Sequence, residues 1–320
     1  MARVPDTVDD VVSGLAAQDY LADEGLATAV YLALRMQRPL FLEGDAGVGK
    51  TEVAKALASW TGGPLVRLQC YEGIDVAQAL YEWDHARQLL HLRTAEATGR
   101  AAQVTDVATL EGELYDERFL IRRPLLQALD GADQGVPPVL LIDEIDRADD
   151  EFEAFLLELL SDWAVTVPEL GTVRATTVPV AVLTSNRTRD VHDALKRRCL
   201  YHWVEQPDLE REVAIVRVRV PRVSRALARQ VAAAVGEIRS FKLYKPPGIA
   251  ETIDWAEALA TLGRSSLDEE SVAATLGSVV KYREDDTRVR RHGLGELVRQ
   301  AVDRAATSHA QPPAGVRTRG

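Results

Sequence analysis

The sequence contains few cysteines, no metal-ligand motif and no long apolar run. Cys70 and Cys199 are its two cysteines, which are too few for a disulfide framework. They form no C-x-x-C pair, and both are expected to be buried thiols. The six histidines show no H-E-x-x-H or similar spacing, which argues against a structural metal site. No apolar stretch approaches the roughly 20 residues of a transmembrane helix, so no membrane span is expected.

Basic residues are fewer than acidic residues, with 38 Lys and Arg against 49 Asp and Glu. The formal net charge is −11, which argues against broad electrostatic binding to nucleic acid and favours protein partners. The N-terminal segment MARVPDTVDD carries acidic residues where a secretory signal would have an unbroken apolar stretch, and a cytoplasmic location is therefore expected.

Apolar patterning predicts an α/β core over residues 1–207. Helical spacing runs from Val8 to Met36 with a break near 19–23, and the apolar run Leu40–Leu42 follows. Further β-branched apolar runs occur, separated mostly by helical stretches, at Pro64–Cys70, Pro137–Ile142, Val178–Thr184 and Leu200–Val204. This alternation predicts a mostly parallel sheet between helices, in three layers.

The strand signals stop after Pro207, and Asp208 is a plausible helix N-cap. Helical patterns predict an all-α domain over 208–306, with helices near 208–219, 222–240, 250–262, 268–282 and 288–306. Residues 307–320 have little to bury and are expected to form a disordered tail.

The segment GDAGVGKT spells G-x-x-x-x-G-K-T between a predicted strand and a predicted helix. In that context the motif predicts a phosphate-binding loop rather than an ordinary glycine-rich turn, because glycines let backbone amides approach the anion. Lys50 would neutralise β- and γ-phosphate oxygens, and Thr51 would ligate Mg²⁺. The nucleotide-binding residues are predicted to be Gly44, Asp45, Ala46, Gly47, Val48, Gly49, Lys50, Thr51 and Glu52.

Two acids end the buried run VLLIDE, where a charge is unfavourable without a role or a partner. Asp143 is predicted to hold the Mg²⁺ shell, and Glu144 to orient and deprotonate the water that attacks the γ-phosphate. The alternative is a plain acidic turn at a strand end. The second acid favours an ATP hydrolase over a phosphotransferase.

Two further residues are candidates for the site. Asn186 follows the next apolar run, and its amide could contact both water and the γ-phosphate; the alternative is a cap or turn residue. Arg198 closes the cationic end Lys196-Arg197-Arg198 of a short predicted helix, where a purely structural role is the alternative.

The ordered motifs GDAGVGKT, VLLIDEIDRA, VLTSN and ALKRRC, followed by a helical domain, resemble AAA+ ATPases of the MoxR family over roughly residues 20–285. The resemblance implies a P-loop NTPase fold with a helical lid, Mg²⁺·ATP as the bound nucleotide, and a homo-oligomeric ring, commonly a hexamer. It also implies that Arg198 acts as an arginine finger in the neighbouring site, with Arg197 as the fallback. Residues 72–120 would form a helical insertion, and 164–177 a β-hairpin.

One position departs from the family pattern. Glu251 stands where MoxR proteins usually place an arginine in an early lid helix, which puts in doubt a second sensor residue besides the candidate sensor Asn186. No specific spacing supports a substitute for that arginine among three later residues, and a solvated basic face is expected there: Arg288, Arg290 and Arg291.

Within the family, three segments look most like the CoxD-type ATPase of carbon monoxide dehydrogenase maturation: RLQCYEGIDVAQALYEWDHARQLLHLR, LSDWAVTVPELGTVRA and TRDVHDALKRRCLYHWVE. That resemblance implies chaperone-like remodelling of a client such as carbon monoxide dehydrogenase or another molybdenum hydroxylase, with a von Willebrand factor A-domain partner. The alternatives are a nucleic-acid translocase and a nucleotide-gated scaffold with little turnover. Tyr81 and Trp83 are expected either to pack in the core or to grip a client.

Overall fold

The computed structural model describes residues 5–97, 112–131 and 135–307. These residues form two compact units. The first lies within Met1–Gln18, Ala22–Gly44 and Lys50–Trp203, and the second within Asp19–Leu21, Asp45–Gly49 and Val204–Gly320. The predicted tail beyond Thr307 and residues 98–111 of the predicted insertion lie outside the described residues.

The first unit is built around a five-stranded sheet whose paired strands are all parallel. In order across the sheet they are Leu65–Gln69 (β2), Val139–Asp143 (β5), Val180–Ser185 (β8), Leu40–Glu43 (β1) and Leu200–Trp203 (β9). The strands of this unit are β1 Leu40–Glu43, β2 Leu65–Gln69, β3 Tyr81–Trp83, β4 Leu120–Arg122, β5 Val139–Asp143, β6 Ala164–Val167, β7 Gly171–Arg174, β8 Val180–Ser185 and β9 Leu200–Trp203. Every residue of β1 and β5 is buried, as expected for parallel strands that are covered on both faces. The predicted fold class is therefore confirmed.

Helices flank the sheet, and their starts follow from local capping. Asp23 accepts the Leu26 amide at 2.7 Å, and Asp149 accepts the Phe152 amide at 2.9 Å, each satisfying one of the unpaired N–H groups of a helix N-terminus. The helices are Val8–Ala16, Glu24–Met36, Lys50–Thr61, Val76–Leu80, His85–Ala97, Pro124–Asp130, Asp150–Asp162 and Asp193–Arg198.

The described part of segment 72–120 contains β-structure that the sequence analysis did not predict. Strands β3 and β4 pair antiparallel. Trp83 on β3 is 8% exposed and its ring packs edge-on against Tyr115 at 5.2 Å. Since a buried indole has little surface to offer a client, the structure favours core packing for Trp83.

A second antiparallel pair, β6 and β7, precedes β8. Gly171 has φ +80° at the turn, a conformation that glycine adopts without strain. Cross-strand hydroxyls of Thr166 and Thr172 are 3.1 Å apart on the exposed surface.

The second unit is mainly helical around its own apolar core, in which Trp255 is fully buried. Asp208 accepts the Arg211 amide at 2.8 Å and is the expected N-cap. The single helix predicted over 288–306 is wrong: Gly293, at φ +89°, separates two helices there. The helices are Leu209–Arg219, Arg225–Ser240, Ile249–Thr261, Glu269–Val279, Arg283–His292 and Leu294–Thr307. No helix within the described ranges is both long and apolar enough to cross a membrane.

Candidate functional site

The polar residues singled out in the sequence follow three adjacent strands. β5, β8 and β1 are neighbours in the sheet, so their carboxyl ends meet at one edge, where open α/β sheets bind ligands. This edge receives Gly44 after β1, Asp143 and Glu144 at the end of β5, and Asn186 after β8.

The G-x-x-x-x-G-K-T segment connects β1 to the helix Lys50–Thr61. Gly47 and Gly49 have φ values of +79° and +93°, which side-chain-bearing residues rarely adopt. Lys50 is 6% exposed and its Nζ donates to the Gly44 carbonyl at 2.7 Å. Glu52, also predicted to contribute, forms an ion pair with Lys55 at 2.5 Å. A lysine folded back onto its own loop beside a helix N-terminus is suited to holding an anion.

Thr51 and Asp143, the predicted Mg²⁺ ligands, are in direct contact. The Thr51 hydroxyl donates to Asp143 Oδ1 at 3.0 Å, and the Thr184 hydroxyl donates to the same oxygen at 2.6 Å. The parallel register of β5 and β8 ends at Ile142 opposite Leu183, which places the next pair, Asp143 and Thr184, side by side. Hydroxyl and carboxylate oxygens are the ligands that Mg²⁺ prefers, so these residues fit the metal.

Arg67 is a partner of Asp143 that the sequence analysis missed. Its guanidinium Nη2 lies 2.6 Å from Asp143 Oδ2, and the side chain is half exposed. β2 and β5 pair with Arg67 opposite Leu141 and Gln69 opposite Asp143. A cation inside a short apolar run was the available signal.

The predicted base Glu144 adopts a left-handed backbone conformation with φ +56°, and its amide donates to the Thr184 hydroxyl at 3.0 Å. Its Oε2 accepts from Gln69 and from Arg147, each at 3.1 Å. Its Oε1 accepts from the Asn186 side-chain amide at 3.3 Å. The structure thus brings Asn186 to Glu144 rather than to a helix cap.

Asp146, two residues after Glu144, fixes the backbone that carries Asn186. It is 2% exposed and accepts from the Asn186 amide at 3.2 Å and the Thr188 amide at 2.8 Å. The Thr188 hydroxyl donates to the same carboxylate at 2.7 Å. A third acid in the stretch IDEID was the signal for this residue.

Both cysteines are buried, as predicted. Burial, then the charge of Asp143, raises the pKa of the Cys70 thiol to about 12. Burial likewise raises the pKa of the Cys199 thiol to about 12. Neither thiol is therefore an accessible nucleophile, since the thiolate is the reactive form.

Arg198 lies apart from the network around Asp143. It ends the helix Asp193–Arg198, and its exposed side chain has no hydrogen-bond or ion-pair partner in the part of this chain that the structure describes. Arg197 forms an i,i+4 ion pair with Asp193 at 3.1 Å. Of the two arginines, Arg198 is the one left available to a second molecule.

Glu251 acts as a helix cap within the second unit. Its carboxylate accepts the Gly248 amide at 2.9 Å, and the Ile249 amide donates to the Gly47 carbonyl at 2.9 Å. A Cβ on Gly248 would lie 2.7 Å from the Gly47 Cα, so this close backbone approach requires glycine. Glu251 therefore caps the start of the helix Ile249–Thr261.

Comparison with known proteins gives one family match and several distant similarities. A family model described as "AAA domain (dynein-related subfamily)" matches residues 39–199. Midasin from Giardia intestinalis is 44% identical over 54 residues, which are 17% of this chain and 1% of midasin. The Thermotoga maritima RuvB Holliday junction branch migration motor is 15% identical, covers 85% of this chain and 71% of its own, and has a TM-score of 0.44. A point mutant of that motor has 16% identity and a TM-score of 0.45 over 85% and 72%.

Proposed function

Because the chain belongs to the AAA domain family, dynein-related subfamily, in which ATP hydrolysis is general, we propose that it is a MoxR-type AAA+ ATPase. In this proposal it hydrolyses ATP to ADP and phosphate in an oligomeric ring, and the cycle drives chaperone-like remodelling of a protein client. The single observation that carries the proposal is the joining of Thr51, Asp143, Thr184, Glu144 and Asn186 in one hydrogen-bonded set at the end of the parallel sheet.

In the proposed mechanism Lys50 and the loop amides would hold the β- and γ-phosphates, while Thr51 and Asp143 would hold the metal. Mg²⁺ bound with ATP supplies charge neutralisation on the phosphate oxygens. The Thr184 hydroxyl orients Asp143, because it donates to the carboxylate oxygen that Thr51 also contacts. The contact between Asp143 and Thr184 follows from the parallel register of β5 and β8.

Glu144 is suited to orient the attacking water. A carboxylate offers about four lone-pair sites, and among the described contacts Oε1 accepts only from Asn186. Oε2 already accepts from Gln69 and Arg147. A water at Oε1 would therefore lie within reach of both the Glu144 carboxylate and the Asn186 amide, where Glu144 can take its proton.

The proposal assigns Arg198 to the neighbouring subunit's site. Charge that develops on the transferred phosphoryl group is stabilised by an arginine supplied in trans in related phosphoryl transfers. The exposed Arg198 side chain, with no partner among the described residues of its own chain, supports such a role. A head-to-tail ring, of six subunits by the family resemblance, would place one such arginine at each interface.

The client is proposed from the CoxD-type resemblance alone. A molybdenum hydroxylase such as carbon monoxide dehydrogenase would be the client, and a von Willebrand factor A-domain protein the partner. Purification of the tagged chain from native cells should recover both. Recovery of DNA-repair or replication proteins instead, together with salt-sensitive DNA binding, would contradict this and favour a translocase.

Glu144→Gln tests the proposed hydrolysis. Glutamine keeps the size and hydrogen-bonding capacity of the side chain but not the base, so turnover should fall by about 10²-fold or more while Mg²⁺·ATP binding persists. The measurements are steady-state phosphate release and nucleotide affinity by calorimetry.

Glu169→Gln, which removes the same charge from the turn of the β6–β7 hairpin, is the matched control and should retain full basal turnover. Near-normal turnover of Glu144→Gln would reject Glu144 as the base.

A further inference from the structure

Arg38 lies between the first unit's second helix and strand β1, where it meets the helix that carries Arg198. The helix Glu24–Met36 ends at Gln37, which adopts the left-handed conformation with φ +51°. β1 pairs in parallel with β9, so that Leu40 lies opposite Leu200, and the Leu200 amide donates to the Pro39 carbonyl at 2.8 Å. This register puts the residue before Pro39 next to the residues that precede Leu200.

The Arg38 guanidinium contacts three consecutive backbone carbonyls there. Its Nη2 lies 2.9 Å from the Arg197 oxygen and 3.5 Å from the Cys199 oxygen, and its Nε lies 3.1 Å from the Arg198 oxygen. The last carbonyls of a helix have no partner inside the helix. A planar guanidinium with several donors in a fixed fork can satisfy them together, which a lysine ammonium cannot reproduce.

Arg38 lies among other cationic side chains. Arg38, Arg197 and Arg198 line one open surface pocket of about 450 Å³, and like charges this close repel each other. The carbonyl oxygens at the helix end offset that repulsion, because cations near a helix C-terminus are favourable. The contact therefore holds a positive group against the backbone of Arg197 and Arg198 while leaving the Arg198 side chain exposed.

We infer that Arg38 is a positioning residue for the arginine finger: it fixes the backbone from which Arg198 projects into the neighbouring subunit's site. This inference rests on the proposed function. The helix Asp193–Arg198 has six residues, and helices this short have little stability of their own. The direction of Arg198 therefore depends on what holds the helix end, and the Arg38 guanidinium contacts the carbonyls of its last two residues and of the following Cys199.

The test uses full-length chains in mixed rings. Arg38→Ala should leave Mg²⁺·ATP affinity unchanged and lower turnover roughly 10- to 100-fold, since a displacement of about 1 Å at a reacting group has effects of that size. Arg38→Lys should be intermediate in turnover, because it keeps the charge without the fork. Arg35→Ala removes a neighbouring exposed arginine and should match the unsubstituted chain.

Complementation distinguishes positioning from general stability. Lys50→Ala subunits lack the phosphate-binding lysine but keep the finger, so mixing them with Arg38→Ala subunits should restore activity at about a quarter of the sites in a random equimolar ring. Mixing Arg38→Ala with Arg198→Ala subunits should restore no activity, because neither kind of subunit supplies a working arginine finger. A merely structural role for Arg38 would not produce this pattern.

Once light scattering has shown that the variants co-assemble, the pattern of rescue tests the role of Arg38 separately from that of the Arg198 finger. Rescue of Arg198→Ala but not of Arg38→Ala by Lys50→Ala would overturn the role of Arg38 alone. Failure to rescue Arg198→Ala would overturn both the finger and its positioning residue. If Arg38→Ala does not fold, Arg38→Lys replaces it in the same mixtures, with the same rescue expected; unaltered turnover in Arg38→Lys would then reject the inference.

Discussion

Thr184→Val tests whether the hydroxyl between Asp143 and Glu144 holds the site together. Thr184 is 1% exposed; its hydroxyl donates to Asp143 Oδ1 at 2.6 Å and accepts the Glu144 amide at 3.0 Å. Valine has nearly the same shape but can do neither. We therefore expect a loss of folding stability and of turnover, although the substitution adds apolar surface to a buried position.

The size of the stability loss follows from the two bonds. An unpaired buried N–H costs about 1–3 kcal/mol, and a lost hydrogen bond to a charged group about 1.5–3 kcal/mol. The added methyl group returns about 0.8 kcal/mol, and Asp143 Oδ1 keeps its contact with Thr51. A net loss of about 2–5 kcal/mol is expected, which corresponds to about 4–20 °C in the Tm of a unit of this size.

Thr184→Ser is the matched control. Serine keeps the hydroxyl and removes one buried methyl group, which costs about 0.5–1.5 kcal/mol. Differential scanning calorimetry at fixed protein concentration should therefore rank valine below serine in Tm, and phosphate release should follow the same order. A valine variant that melts at or above the serine variant would refute the assigned hydrogen bonds, because only apolar burial would then matter.

Two further predictions concern the second unit and the thiols. Gly248→Ala should weaken Mg²⁺·ATP binding, because its Cβ would lie 2.7 Å from the Gly47 Cα. The control Gly277→Ala has open space around it, so it should bind nucleotide normally and gain up to about 1 kcal/mol in helix stability. Equal affinities of the two variants by calorimetry would contradict the predicted steric clash. Cys70 and Cys199 should resist iodoacetamide at pH 8.5 until urea unfolds the chain, and because burial raises both pKa values from 9.0 to about 12, stability should decline as pH rises from about 9 to about 12. Rapid labelling of the folded chain would refute this.

Elements with a strong local pattern were predictable from the sequence. The strands β1, β2, β5, β8 and β9 all lie where apolar runs indicated them, because a buried parallel strand requires a short apolar stretch between helical patterns. The contact between Thr51 and Asp143 follows from the same logic, since carboxyl ends of parallel strands share one edge of the sheet.

Elements that depend on distant partners were not predictable in this way. β3 and β4 have three residues each and pair across a long sequence separation. Three residues are too few to show the alternation of apolar and polar residues that indicates a strand. The break at Gly293 was also missed, although this glycine, at φ +89°, ends one helix. An isolated glycine is tolerated inside many helices, so its presence alone does not predict a helix end.

The order of strands decides which cations lie beside Asp143 and beside the Arg198 helix, and strand order has no local signal in the sequence. Arg67 meets Asp143 because β2 lies beside β5, and Arg38 meets the end of the Arg198 helix because β9 lies beside β1. In each case the sequence shows only an arginine at the edge of an apolar run. A parallel sheet with another strand order would keep every motif and separate these arginines from their partners, so their contribution is a property of the topology rather than of the motifs.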